Sequence, residues 1–344
     1  MMKSRSVLLA LGAALVMACA AAAEDAPRTI VLDPTQAAGE PTWQLLADKA
    51  GGPVVQVAIG AVDVRGVEMD GTAFSEVTIA GGELQGAPGR PALPVISRLV
   101  AVPEGMTVRV RNVAQRTTTL DGAWLPVPAQ DLQAANAPLL WDRAWYSDKA
   151  AADAAPAAEV GAPARLHGVR VVPLTLHPVA WDRTDGTLKA ATSLEIDLEY
   201  VPSAEAPART TADRPLPASF ATLLEQTVLG FDKSSVTTVP LGTWACIMPG
   251  DLAVQAAVQP LLEWRARQGY NVVVASTTDI GTSNTAIKAW LQDQYDTLKT
   301  PLEMVCLVGD ADGSVAVASW RESLSGYSGE GDHPYTQLDG PDVL

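Results

Sequence analysis

The sequence predicts a multidomain chain, in which an N-terminal all-β, sandwich-like domain precedes an incomplete α/β domain with a doubly wound parallel sheet. Three observations lead to this prediction. Short alternating runs recur between turn residues from about residue 30 to 200, a proline-rich stretch follows, and residues 243–313 then alternate apolar runs with helical periodicity. The 344 residues are 48% hydrophobic, which is enough for two cores.

The first 23 residues have the pattern of a secretory signal peptide. Lys3 and Arg5 precede an apolar run that ends in small residues before Glu24. A membrane anchor is the weaker interpretation, because such a span needs about 20 strongly apolar residues. A lipoprotein site at Cys19 is a further alternative. We therefore expect a secreted protein, extracellular or periplasmic, with no membrane contact after signal removal.

The charge balance argues against a nucleic-acid partner. Lys and Arg total 24 against 39 for Asp and Glu, which gives a formal net charge of -15. Phosphate backbones favour a basic face, so nucleic acid is excluded as the expected partner.

Residues 24–205 are predicted to form the β-rich domain. Polar and apolar residues alternate at 194–201, which is typical of a strand with one buried face. Asp185-Gly186 supplies a tight turn between two of the strands. The predicted strands cover residues 54–64, 74–79, 95–102, 107–113, 169–176 and 194–201.

Residues 206–242 are predicted to link the two domains, because the stretch from Pro202 to Pro217 is poor in apolar residues and rich in proline. Arg209 and Arg214 make it a candidate site for proteolytic processing, and an uncut linker is the alternative. Within it, residues 220–229 are amphipathic and could lie across either domain.

Residues 243–344 are predicted to be the α/β domain. Apolar runs at 244–248, 271–275 and 304–308 alternate with two helical patterns. We expect Gly269 to end the first helix and Ser283 or Asn284 to cap the second. Runs that are apolar throughout predict parallel strands buried on both faces, in the order 2-1-3.

Acidic residues follow two of these strands at the rim where α/β sheets bind ligands. Asp251 follows the first strand, and Asp310 and Asp312 follow the third. They are either helix caps and turn formers, or metal ligands and substrate-side carboxylates. Cys246 and Cys306 lie inside predicted buried strands, where we expect free core thiols rather than nucleophiles, although secretion would permit a disulfide.

An ordered set of segments resembles the gingipain family of secreted cysteine peptidases. Gly86–Pro94 and Arg170–Val179 resemble parts of the family's propeptide, and Val305–Asp310 resembles the first part of its catalytic domain. The final segments, Asp332–Tyr335 and Leu338–Asp342, resemble the family sequence just after it. One departure is Ser314–Val317, where the family commonly has an Ile-Pro pair.

This resemblance implies a precursor of a cysteine-type endopeptidase that hydrolyses proteins or peptides. It implies a caspase-like catalytic fold, and a propeptide that contacts the catalytic domain and keeps it latent. The family's catalytic His and Cys lie on later strands, so we expect no catalytic residue in this chain and no activity from it alone. Asp310, Asp332 and Asp342 match acidic positions of the family and are the candidate calcium ligands; no other cofactor is implied.

Two other functions compete with this interpretation. A non-catalytic secreted protein could use the β-rich domain as an inhibitor or adhesion module. A receiver-type or flavodoxin-like regulator would explain Asp310 at a strand end. The signal peptide and the absence of a phosphate-cradling glycine loop in the sequence disfavour the regulator.

Overall fold

The computed structural model describes residues 26–49, 51–130, 138–149, 155–203, 214–324 and 327–339. The predicted signal peptide, Cys19, Arg209 and Asp342 lie outside these ranges. Within the ranges, no helix is both long enough and apolar enough to cross a membrane.

The first part of the chain, up to residue 202, is here called the β-rich region. Within the described ranges it consists of strands and one short helix. Its elements are β1 (Arg28–Val31), β2 (Thr42–Lys49), β3 (Gly52–Ala58), β4 (Ala61–Met69), β5 (Thr72–Thr78), β6 (Glu83–Gln85), β7 (Leu93–Ala101), β8 (Met106–Leu120), α1 (Arg143–Ser147), β9 (Ala158–Val160), β10 (Ala164–Leu166), β11 (Val169–Leu176), β12 (Val179–Asp182) and β13 (Thr187–Pro202).

Two sheets of this region close over one hydrophobic core. One sheet has the order β10-β11-β7, and the other has the order β12-β13-β3-β2 with β8 alongside β13. Val100 and Leu174 of the first sheet and Val55 and Leu194 of the second belong to the same buried cluster. Strands β1, β4 and β5 form a third, antiparallel sheet. The sequence therefore predicted the β-rich class of this region.

The predicted strands differ from the observed ones in two places. In one, backbone atoms come close together and break a strand; in the other, pairing with a neighbour extends a strand. The run predicted over 54–64 is broken into β3 and β4 at Gly60, where a Cβ atom would lie 2.2 Å from the Ala37 carbonyl oxygen. The strand predicted over 107–113 continues to Leu120, because β8 pairs with β13 along that whole length. The turn predicted at Asp185-Gly186 joins β12 and β13, and Gly186 has the positive φ of 76° that favours glycine.

The stretch predicted as a linker is structured over residues 216–239. It contains β14 (Leu216–Pro217), α2 (Ala218–Thr227), β15 (Val228–Leu229), a 3-10 segment (Lys233–Ser235) and β16 (Thr238–Val239). Leu216, Ala221 and Leu224 are buried against Val171 of the β-rich region, and β15 extends the β7 sheet in parallel. This part of the linker is therefore a cover on the β-rich region, which explains its amphipathic residues. The limits at residues 205 and 243 stay predictions.

The second part of the chain, here called the α/β unit, spans residues 243–339. Its elements are β17 (Thr243–Met248), α3 (Leu252–Arg267), β18 (Asn271–Ser276), α4 (Thr277–Ile280), α5 (Asn284–Thr297), β19 (Leu302–Leu307), β20 (Trp320–Leu324), β21 (Tyr327–Gly331) and a 3-10 segment (His333–Thr336).

The parallel sheet has the order β18-β17-β19, which confirms the predicted 2-1-3 arrangement. Alternate residues of β17 point to opposite layers. Cys246 packs with Val258 of α3, whereas Ile247 packs with Ile287 and Leu291 of α5. The helices therefore cover opposite faces, as a doubly wound sheet requires.

The prediction that all three strands are buried on both faces is wrong for the outer two. Every residue of β17 is buried, whereas Val274 of β18 is 47% exposed and Met304 of β19 is 43% exposed. Only the central strand of a three-stranded sheet has neighbours on both sides. No strand of the described ranges pairs with the outer edge of β19 over residues 302–307.

Candidate functional site

The carboxyl ends of the three parallel strands meet at one rim, where the sequence predicted a site. Gly250 and Asp251 follow β17, Ser276 ends β18, and Gly309 to Gly313 follow β19. A Cβ atom on Gly250 would lie 1.9 Å from the Thr278 hydroxyl oxygen, so the loops after β17 and β18 approach closely.

Asp251 serves as a helix cap, which was one of its two predicted roles. Its Oδ1 accepts hydrogen bonds from the backbone N–H groups of Ala253, at 2.8 Å, and Val254, at 3.1 Å. These are free donors of the first turn of α3, which the side chain satisfies. Ser283 caps α5 in the same way through Ala286, at 3.2 Å, which confirms one of the two predicted caps.

Asp310 forms a turn at the end of β19. Its exposed side chain accepts a hydrogen bond from the Ala311 N–H at 2.8 Å, and its carbonyl oxygen accepts one from the Val317 N–H at 2.8 Å. These bonds fold residues 311–316 into a closed loop. Asp312 lies in this loop and is exposed.

The predicted calcium ligands are only partly within the described ranges. Asp310 and Asp332 are both exposed, and Asp332 precedes the 3-10 segment 333–336. Burial and then the Asp332 charge raise the pKa of Tyr335 to about 12. The described residues contain no group of three or more His, Cys, Asp or Glu side chains placed to hold a metal ion. Because Asp342 lies outside those residues, calcium binding stays a prediction.

Within the described ranges, Cys246 and Cys306 are free thiols that lie side by side in the sheet. Cys246 of β17 is fully buried, and its register partner Cys306 of β19 is half-buried. Burial, followed by the neighbouring Cys306, raises the pKa of the Cys246 thiol to about 12. A nucleophile needs a thiolate and access to substrate, and Cys246 has neither.

The three histidines each have surroundings other than these cysteines. His177 is paired with Glu159 at 3.1 Å between its Nε2 and a carboxylate oxygen. His333 is exposed at the start of a 3-10 segment. His167 lies where the β-rich region meets the α/β unit, which the sequence did not predict.

The contact between the two regions, here called the joint, is built around His167. The His167 ring lies 4.4 Å from the Phe220 ring of α2 and 5.7 Å from the Tyr295 ring of α5, between ring centroids. The next residue, Gly168, donates its backbone N–H to the Asp339 carboxylate. Ser219 of α2 donates its hydroxyl to Glu303 of β19 at 2.5 Å.

Arg214, which the sequence offered as a processing site, also belongs to the joint. Its guanidinium lies 3.9 Å from the centroid of the Tyr295 ring and 3.4 Å from an Asp296 carboxylate oxygen. Its side chain is only 12% exposed. Burial raises the pKa of the Tyr295 phenol, and the Asp339 charge adds to this effect.

A sequence signal for the joint did exist at His167-Gly168. These two residues connect β10 and β11, with φ values of 49° and 78°. Two-residue hairpin loops with positive φ at both positions favour glycine at the second one. The pair therefore predicts a tight hairpin, but not what the tip of that hairpin contacts.

Comparisons with known proteins match both halves of the chain. The family model described as Propeptide_C25 matches residues 33–235, and the model described as Peptidase family C25 matches residues 244–344. Lys-gingipain of Porphyromonas gingivalis is 27% identical over 268 residues, which cover 73% of this chain and 15% of that protein. The chain therefore spans about 15% of the length of the curated relatives it matches.

Two solved structures are also similar. A structure on the zymogenic latency of gingipain K from Porphyromonas gingivalis has a TM-score of 0.43 and 23% identity, over 52% of this chain and 100% of that one. A complex of the pro- and mature domains of Porphyromonas gingivalis RgpB has a TM-score of 0.44 and 20% identity, over 56% of this chain and 100% of that one.

Proposed function

The chain belongs to the C25 peptidase family, the gingipains, and from this premise we propose that it is the N-terminal portion of the precursor of an exported cysteine endopeptidase. The observation that supports this most directly is the order of the two matches, a propeptide over residues 33–235 followed by a peptidase over 244–344. The propeptide match covers most of the β-rich region and its cover, and the peptidase match covers the α/β unit from residue 244 onward.

The proposed reaction is the hydrolysis of peptide bonds in proteins or peptides. A thiolate attacks the carbonyl carbon, a histidine transfers a proton to the departing amine, and backbone N–H groups stabilise the oxyanion. Water then hydrolyses the resulting thioester. In this proposal the α/β unit contributes the first three strands of a caspase-like sheet, and the reacting Cys and His lie outside residues 1–344.

The β-rich region is proposed to be the propeptide that keeps the peptidase latent. Its contact with the α/β unit at the joint supports this role, because Gly168, Ser219 and Arg214 all bond to residues of the α/β unit. Residues 1–23 are proposed as the signal peptide. N-terminal sequencing of the exported protein tests this, and we expect the sequence to begin near Glu24.

Residues 1–344 are proposed to have no peptidase activity of their own. Cys246 is buried and its pKa is raised, and the His177 side chain is paired with Glu159. The test is an assay of the purified chain on a panel of peptide substrates, with Cys246→Ala and Cys306→Ala as controls. Thiol-dependent cleavage that either substitution abolishes would contradict this part of the proposal.

The precursor proposal itself is tested by the gene sequence beyond the codon for Leu344. An in-frame continuation that encodes a His and, further on, a Cys after apolar strand patterns would support it. A stop codon there would instead favour the non-catalytic binding protein.

Calcium is proposed as the one bound ion, held by Asp310, Asp332 and Asp342. A ligand that binds only the folded state stabilises it by RT ln(1 + c/Kd), where c is the free ligand concentration, so it raises the melting temperature once its concentration exceeds Kd. We expect calcium chloride to raise the melting temperature of the chain, and Asp310→Asn to reduce that effect more than Asp312→Asn. An equal response of both variants and the original chain would contradict the assignment.

A further inference from the structure

The joint differs from the rest of the core because it is polar and incompletely packed. A cavity of about 440 Å³ adjoins it. Leu166 of the β-rich region and Phe220 of its cover line this cavity on one side, and Leu302, Val305 and Tyr335 of the α/β unit line it on the other. Beside this cavity, the two parts of the chain touch through the rings around His167 and through the polar contacts of Gly168 and Ser219.

The position of His167 makes the stability of the joint depend on whether its imidazole is protonated. The hairpin holds the residue at a φ of 49°, and its ring is enclosed by rings from both sides. Its Nδ1 is buried without a hydrogen-bond partner among the described residues. A protonated imidazole needs a partner for each of its two N–H donors, and burying an unpaired one is costly.

Charged groups from several segments of the joint act on His167. Asp339 and Glu303 carry negative charge, Arg214 carries positive charge, and Arg165 and His333 line the adjoining cavity. Burial is the largest influence and lowers the pKa of His167, the two carboxylates oppose this, and Arg214 reinforces it.

We propose that the joint is an acid-sensitive contact, in which protonation of His167 separates the β-rich region from the α/β unit and exposes Arg214. The direction follows from linkage. When the joint opens, His167 loses Tyr295 and regains water, so its pKa returns towards the ordinary value of about 6.5. The joint is therefore fully stable above that pH, and it weakens as the pH falls through that value towards the lower pKa of the closed form.

Opening of the joint also decides when Arg214 becomes available for cleavage. A protease that cuts after arginine must take that side chain into its own pocket. In the closed joint the guanidinium is stacked on Tyr295 and paired with Asp296. Arg214 is therefore a docking residue in the closed state and a cleavage site only in the open one. This inference does not depend on peptidase activity of the chain.

The test is amide hydrogen exchange of the full chain, followed at the Gly168 N–H that donates to Asp339. Protection is corrected for the intrinsic effect of pH on exchange and measured between about pH 7.5 and pH 5.5. We expect the original chain to lose protection at Gly168 on acidification, while amides of the β3–β13 pairing keep theirs. Unchanged protection at Gly168, or its loss together with the β3–β13 amides, would overturn the proposal.

Two variants separate the histidine from the rest of the joint. His167→Asn removes the titrating ring and is compatible with the left-handed backbone, so its Gly168 protection should not change with pH. Asp339→Asn weakens the acceptor and should lower protection at both pH values. A His167→Asn chain with the same pH response as the original would overturn the proposal.

The joint of the His167→Asn chain could fail to form even at neutral pH. In that case the titration midpoint of the His167 imidazole is measured in the original chain. The sequence has three histidines, so the His167 imidazole resonance can be assigned by single substitutions. We expect its titration midpoint to lie below about 6.5. A midpoint at or above that value would overturn the proposal.

Discussion

The β-rich region and the α/β unit both contain strands of apolar residues, but they bury those strands to different extents. In the β-rich region, β13 lies between β8 and β3 and faces a second sheet, and its Leu194 and Ile196 are fully buried. In the α/β unit only β17 has a strand on each side, and Met304 on the neighbouring β19 remains 43% exposed.

This difference shows that the place of a strand in its sheet, rather than its composition, decides how well it is buried. Residues 271–276 of β18 are as rich in valine as residues 52–58 of β3. Four of the first five residues of β3 are buried, whereas one residue of β18 is. The β-rich region is a closed core, and the α/β unit is an open sheet whose two faces are covered by α3 and α5.

The largest expected effect tests whether α2 belongs to the closed core. Leu224→Ala removes a fully buried side chain from the cover and should lower the free energy of unfolding by about 2–5 kcal/mol. Leu223→Ala on the same helix changes a side chain that is half exposed and should cost about 0.5 kcal/mol or less. Urea denaturation of the full chain measures both. Equal effects would mean that the cover does not stabilise the β-rich region.

A matched pair of valine substitutions compares the two regions directly. Val55→Ala in β3 removes two buried methyl groups and should cost about 2 kcal/mol, including the cavity it leaves. Val305→Ala in β19 removes the same groups from a partly exposed edge strand and should cost less than about 1 kcal/mol. Each is measured by chemical denaturation with a probe in its own region. A larger cost at Val305 would contradict the description of β19 as an open edge.

The smallest expected effect concerns the rim of the α/β sheet. Asp251→Ala removes the cap of α3 and should destabilise the α/β unit by about 1 kcal/mol. Asp312→Ala, in the exposed loop after β19, should change stability by about 0.5 kcal/mol or less. Thermal unfolding measures the difference between them. A greater loss of stability for Asp312→Ala than for Asp251→Ala would indicate that the loop after β19 stabilises the α/β unit.

The periodicity of the sequence was sufficient to predict the local elements. It predicted the hairpin at Asp185-Gly186 and, as one of two candidates, the Ser283 cap, because each depends on neighbouring residues. The 2-1-3 strand order followed from the predicted doubly wound class. An apolar run alone does not determine the exposure of β18 and β19, which depends on how many strands flank each of them. The resemblance to gingipains was confirmed by the family models, since it rested on segments in both halves.

The joint could not be predicted from the sequence, because its contacts join residues that lie far apart in the chain. Gly168 and Asp339 are separated by 171 positions in the chain, and their hydrogen bond depends on how two regions pack. Arg214 was predicted to be a candidate processing site in a linker, because the stretch around it is rich in proline and poor in apolar residues. Its actual neighbours, Tyr295 and Asp296, come from α5.

The difference between a closed core and an open sheet is tested most directly by separating the two regions. A fragment of residues 26–235 retains the strands of the β-rich region and helix α2 of the cover, so we expect a monomer with one cooperative thermal transition. A fragment of residues 236–344 leaves the apolar edge of β19 and the face that meets Phe220 exposed, so we expect association or a broad transition. Calorimetry with analytical ultracentrifugation of both fragments gives the answer. A monomeric fragment 236–344 with a cooperative transition, beside a fragment 26–235 without one, would contradict this account.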